Sequence, residues 1–210
     1  MSDSPRVSTS MPLASWLERL GRSNGAPGGG AASAITLGVS AALLRMVAGY
    51  SPEDSRAAEC RRLLAELRLE ALEGSEEDGV RSARLGAALA LGSDDPVRDE
   101  RVFEAAMDAA RSTAELGELA ASLADVLRLL AEIGNRALAV DLAVAAQTLA
   151  AGTSAASITL RSDLALARDH GGHETQEPIR ALAAAADRLS AVQRDVETIA
   201  ADLSAPFLPG

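Results

Sequence analysis

The stretch SNGAPGGGAASAITLGVSAALLRMVAGYS, residues 23 to 51, opens as a glycine-rich loop and turns at once into an apolar run. Between Ala31 and Tyr50 the one charged residue is Arg45, and the uncharged run before it is too short to span a bilayer comfortably. The stretch therefore predicts a long helix buried at the centre of the protein, with the rest of the chain built around it. Gly28, Gly29 and Gly30 permit backbone conformations closed to other residues, and Pro27 fixes one dihedral before them. The free N–H groups at such a helix start can hold an anion, so a carboxylate ligand is expected there.

The remaining sequence reads as helix as well. MPLASWLERLG sets Leu13, Trp16, Leu17 and Leu20 on one face and stops at Gly21. SPED restarts the chain with Ser51 as N-cap and Pro52 at the first helical position, and a helix follows to about Leu72. EGSEEDG reads as a polar break, residues near 80 to 91 as a further helix, and GSDDP as its stop. From Val97 a helix carries Asp99, Phe103 and Met107, with a bend expected near Gly117 and an end at Gly134. Two apolar helices divided by Gly152 come next, and a last helix from about Pro178 to Leu203 has a seam of Leu182, Leu189, Val192, Val196, Ile199 and Leu203. No alternation of period two survives this reading. The expectation is an all-α bundle of about six to eight helices, dimeric, with a flexible tail at residues 1–10 and a single helical domain at 11–205.

Composition narrows the functions. With 210 residues and 48% hydrophobic content, the chain can bury a core, and because only 2% is aromatic that core must be Leu, Ala, Val and Ile. A net charge of −10 argues against nucleic acid and against an anionic membrane surface as partners. All basic residues are Arg, which excludes a P-loop, a Schiff-base lysine and a lysine general base. The Arg-only, Ala-rich usage is that of a GC-rich bacterial genome. The single Cys60 can form no disulfide within the chain and reads as a buried thiol, and the first ten residues lack the apolar core of a signal peptide; a reducing cytoplasm is expected. His170 and His173 stand three apart in a glycine loop without an evident third ligand, so no metal site is expected.

Asp141 draws attention in GNRALAVDLAVAA, where Ala139, Val140, Leu142 and Ala143 surround it. A carboxylate so placed is expected to be buried, and desolvation would raise its pKa into the range a proton-transfer group needs. The structural alternative is a buried Asp paired with an Arg or capping a neighbouring helix.

Taken together, APGGGAASA leading into MVAGYS, the DERVF segment and GNRALAVDLAVAA resemble the cyclodeaminase/cyclohydrolase family. That family includes the methenyltetrahydrofolate cyclohydrolases and the cyclodeaminase part of formiminotransferase-cyclodeaminase. The resemblance implies an all-helical dimer with its folate site in a cleft at the subunit interface. It implies that Pro27, Gly28, Gly29 and Gly30 form the pocket. Asp99 and Phe103 match the family's Asp and Phe four apart, and Gly134, Asn135 and Asp141 match its Gly-Asn and following Asp. Ala31 stands where Ser is common, Ala155 and Thr159 stand near the family's asparagines, and EGSEEDGVRSARL looks like an insertion.

The implied chemistry is hydrolysis or cyclisation at a C–N bond of a tetrahydrofolate derivative, needing proton transfer and no metal or redox cofactor. Asp141 and Asp99 are its candidate acid and base and Asn135 an orienting group. Arg45 or Arg136 would help hold an anionic tail. A homologue recruited to a non-folate small molecule and a noncatalytic helical scaffold are the alternatives.

Overall fold

The computed structural model describes residues 6–23, 26–172 and 176–207, and among them the chain forms α-helices and short 3-10 turns without strands. The helices are α1 (Leu13–Leu20), α2 (Gly29–Gly49), α3 (Ser55–Leu89), α4 (Arg98–Ile133), α5 (Ala139–His170) and α6 (Gln176–Ser204), with a 3-10 turn at Arg136–Leu138 before α5. The all-α bundle expected from sequence is what forms, but several helix boundaries differ.

Three glycines expected to break or bend helices lie inside continuous ones. Gly74 is within α3, where an added Cβ would come 3.0 Å from Leu116 Cδ2 of α4. Gly117 lies within α4, where an added Cβ would come 3.5 Å from Leu189 of α6. Gly152 is within α5, where a Cβ would meet Leu37 of α2 at 2.9 Å and its backbone nitrogen at 3.2 Å. A helical glycine costs up to about 1 kcal/mol against alanine. Here it lets two helices approach closely, and that packing outweighs the propensity. At the start of α3 the cap is Asp54, whose side chain accepts the Arg56 N–H at 2.8 Å, and SPE forms the turn before it.

Helices α2 and α3, α2 and α5, α3 and α4, and α5 and α6 pack antiparallel. Gly38 meets Ala71 and Gly30 meets Asp78 across α2 and α3. Ser40 donates to the Ala145 carbonyl at 2.9 Å across α2 and α5. Arg81 reaches Ser112 across α3 and α4 at 2.6 Å, and Gln147 reaches the Ala200 carbonyl across α5 and α6 at 3.2 Å. The glycine end of α2, the C-terminal half of α3, the start of α4 and the end of α5 thus share one end of the bundle.

Leu37, Leu44, Leu64, Leu123, Leu127, Leu130 and Leu149 fill the main core. Met107, Leu160, Leu164, Ile179 and Leu189 form a second cluster toward the glycine end. The α6 seam is spent inside the subunit, because Val196 and Leu189 are buried and Val192, Ile199 and Leu203 pack on the main core.

Helix α2 is not buried all round. Two of its sides face α3 and α5, while Val39, Met46 and Tyr50 are exposed on the third, because no further layer covers it within the subunit. On α5, Val140, Val144 and Ile158 are exposed too. By length and composition, Gly29–Gly49 and Arg136–His170 could each cross a membrane; 56% and 44% of their windows are buried within the fold.

Residues 1–5 of the expected tail lie outside the described residues, and residues 6–10 are tied to α3. Val7 is buried beside Trp16 and Ala31, and Glu76 accepts from Thr9 N at 2.7 Å, Thr9 Oγ1 at 2.9 Å and Arg6 Nε at 2.9 Å. These contacts, the Thr9 N–H first, lower the Glu76 pKa.

Candidate functional site

The first turn of α2 has no side-chain cap at Gly28, whose backbone is extended at φ −119° and ψ −158°. Two N–H groups here are satisfied from another helix. The Asp78 carboxylate of α3 accepts from the backbone N–H of Ala31 and of Gly28, and from the Ser82 hydroxyl at 3.3 Å. It lies so close over Gly30 that a Cβ there would fall 2.0 Å from Asp78 Oδ1. The anion expected at this helix start is therefore one of the protein's own carboxylates, which corrects the reading of the loop as a cradle for a ligand's anionic tail. Pro27 and Gly30 are buried, Gly28 is half-buried and Gly29 is exposed with open space around its α-carbon.

From α5 a second carboxylate joins this end. Asp163 is 8% exposed, and its Oδ2 is buried without a hydrogen-bond partner among the described residues. Burial first, then the charge of Asp78, pushes its pKa up to about 7. Burial raises Asp78 as well, against the N–H groups and Ser82 that favour its charged form. Two carboxyl groups that repel each other in a desolvated place hold on to a proton between them. Such a pair can give or take a proton near neutral pH.

The carboxylates expected from sequence are placed elsewhere and are not brought together. Asp141 is half-exposed, in the first turn of α5, where a negative charge complements the helix dipole. The expected burial is absent because its flanking Val140 and Val144 are themselves on the exposed face. From Asp141 to Asp163 is 22 residues along α5, about 33 Å at the helical rise. Asn135 is exposed and caps the 3-10 turn, its Oδ1 accepting from Ala137 N at 2.9 Å. Gly134 closes α4 by donating to the Leu130 carbonyl at 2.8 Å, against which a Cβ would clash at 2.3 Å.

Asp99 does lie at the glycine end, but its side chain is 74% exposed and engages His170 Nδ1 at 2.8 Å and Arg98 at 3.5 Å. Phe103 packs against the second core cluster. His173 lies outside the described residues, and among those described no group of His, Cys, Asp and Glu could hold a metal. Arg45 is exposed in the last two turns of α2 and Arg136 stands in the far 3-10 turn. Cys60 is buried, and burial raises its pKa.

Asp78 and Asp163 were missed for different reasons. Asp78 sits in EGSEEDG, whose glycines and acids read as a turn. Asp163 sits in ITLRSDLALA, where Arg161 and Ser162 dilute the apolar run. A helical projection finds it: Ala156, Leu160, Asp163 and Ala167 recur at three or four residues, and all four are buried.

The family model for formiminotransferase-cyclodeaminase matches residues 12–195. Among solved structures, formiminotetrahydrofolate cyclodeaminase from Thermotoga maritima is similar with a TM-score of 0.74 and 19% identity, over 92% of this chain and 98% of that one. At that identity the likeness shows the fold. No curated protein matches the chain.

Proposed function

Since the chain belongs to the formiminotransferase-cyclodeaminase family, we propose that it is an enzyme acting on a C–N bond of a tetrahydrofolate derivative, with Asp163 as its proton-transfer group. The observation that carries this reading is the buried, unpartnered carboxyl oxygen of Asp163 beside Asp78 under the glycine loop. A carboxyl with a pKa near 7 is populated in both forms at neutral pH, which suits an acid and base in turn.

In the cyclodeaminase direction a folate nitrogen attacks the formimino carbon and a new C–N bond forms. The attacking nitrogen's proton passes to the carboxylate, and the old C–N bond breaks as the departing ammonia takes a proton back. In the hydrolytic direction water adds to the amidinium carbon, its proton goes to the carboxylate, and the ring nitrogen receives a proton as its bond to carbon breaks. Neither balance needs a metal or redox cofactor. Burial, helped by repulsion from Asp78, keeps the proton on Asp163, and the open space over Gly29 gives a planar substrate its approach.

The test is optical. The protein is expected to form the methenyl-folate chromophore from formiminotetrahydrofolate, or to discharge it from methenyltetrahydrofolate, faster than buffer does. Absence of both activities overturns the folate reading.

The second part of the reading is a homodimer. Val39, Met46 and Tyr50 of α2 with Val140, Val144 and Ile158 of α5 make an exposed apolar face beside a cleft of about 480 Å³ lined by Thr36, Val144, Thr148 and Phe207. A two-fold axis perpendicular to these helices sets the far end of one subunit over the glycine end of the other. Asp141 and Asn135 can then approach the Asp163 site from a second copy, in keeping with the interface cleft that the family resemblance implies. Light scattering is expected to give twice 21.5 kDa, and Ile158→Arg to give monomers with reduced turnover. A monomeric parent protein, or a fully active monomeric variant, overturns the shared site.

A further inference from the structure

The antiparallel packing of α3 on α4 leaves a cleft of about 530 Å³ whose walls carry Arg84, Arg101 and Arg111 with Glu104 and Asp108 over a floor of alanines. The hollow exists because the residues between the long side chains are small, as at Ala105. On a chain of net charge −10, three guanidinium groups around one opening are a local reversal of sign.

The charges are not equally engaged. Asp108 is matched by Arg84 at 3.5 Å and by Arg81 at 3.7 Å. Arg101 and Arg111 have no ion-pair or hydrogen-bond partner among the described residues. Both are exposed and lie on one face of α4, in the series 101, 104, 108, 111. Ten residues separate them, about 15 Å along the axis. Glu104 stands between and repels an anion seated midway, so negative charge is favoured at the two ends. A guanidinium fork accepts carboxylate or phosphate oxygens in pairs, with planar geometry and a fixed charge. The other place on the molecule expected to receive an anion, the start of α2, is filled by Asp78.

We propose that this cleft binds an extended oligoanion, with carboxylate or phosphate groups at its ends held by Arg101 and Arg111. Its length, and not its total charge, is what selects it: a compact anion of equal charge reaches one arginine and meets Glu104. The site is distinct from the Asp163 pair and stands whether or not the chain acts on a folate.

Calorimetry on the full chain tests it with three probes: triglutamate, a linear hexaphosphate, and citrate as the compact control. At least one extended anion is expected to bind saturably at one site per chain and about tenfold more tightly than citrate. Preference for triglutamate identifies a carboxylate ligand, and preference for the hexaphosphate a phosphate one. Arg101→Gln with Arg111→Gln is expected to weaken that binding by about tenfold or more, with unchanged helical circular dichroism. Glu104→Gln is expected to strengthen it, a gain that damage to the fold does not mimic. The proposal is overturned if neither extended anion binds, if citrate binds as tightly, or if the arginine and glutamate variants leave the affinity unchanged.

Discussion

Asp163→Asn is expected to make the protein more stable at pH 8 while cutting turnover by about a hundredfold or more, the usual worth of a positioned acid or base. The folded-state pKa of Asp163 is about 7, against 3.8 as its ordinary value. Below about pH 4 the carboxyl is protonated in both the folded and the unfolded chain, and it contributes nothing. As pH rises toward 7 the unfolded chain releases this proton while the folded one keeps it, so stability falls; above pH 7 the loss is complete. At about 1.4 kcal/mol per pKa unit the full effect is roughly 4 kcal/mol. Asparagine cannot ionise, and the gap between variant and parent should open between pH 4 and 7 and then stay level. Denaturant melts at pH 4, 6 and 8 check this directly. An Asp kept for structure behaves in the opposite way, because removing it strands a partner and lowers stability at every pH. If the variant is less stable at pH 8 and retains parental turnover, Asp163 is structural.

How far this site could be read from sequence depends on what a residue's neighbours along the chain say about its neighbours in space. Asp141 carries the cleaner local signal, an acid with apolar neighbours on both sides, while Asp163 follows Arg161 and Ser162, yet Asp163 alone is deeply buried. The difference is which face of α5 meets α2 and α4, and that is set by helices remote in sequence. Gly74, Gly117 and Gly152 teach the same lesson from the other side. In local terms each is a helix breaker, but each lies where Leu116, Leu189 or Leu37 of another helix comes close. The α6 seam was legible because its periodicity is itself the record of a buried face, and the α2 run because it holds no charge before Arg45. What the α2 run could not say is that one of its faces stays uncovered in the subunit, since Val39 and Met46 look the same in sequence whether a neighbouring helix or a second copy meets them.

The glycine loop gives the sharpest contrast between neighbouring positions, and Gly30→Ala against Gly29→Ala is its measurement. At Gly29 nothing lies within 4 Å of an added Cβ, and the residue begins α2 with no left-handed φ to prohibit a side chain. Alanine there is expected to raise stability by about 0.4–1 kcal/mol, because it narrows the unfolded ensemble at no cost to the fold. At Gly30 the Cβ would stand 2.0 Å from Asp78 Oδ1 and 2.8 Å from its Cγ. The carboxylate must leave, and the N–H groups of Gly28 and Ala31 lose the acceptor that caps α2. A loss of about 3 kcal/mol or more is expected, combining overpacking with unpaired polar groups. Removing the obstructing side chain should relieve the first of these, so Gly30→Ala with Asp78→Ala is expected to be less destabilised than the two single changes added together, by about 1 kcal/mol or more. Additive losses, or a Gly30→Ala protein as stable as its parent, would show that Asp78 does not sit against the loop. The same variant carries a consequence for the acid: with Asp78 displaced, the like charge that helps hold the proton on Asp163 is gone, and the pH step in stability moves downward from 7.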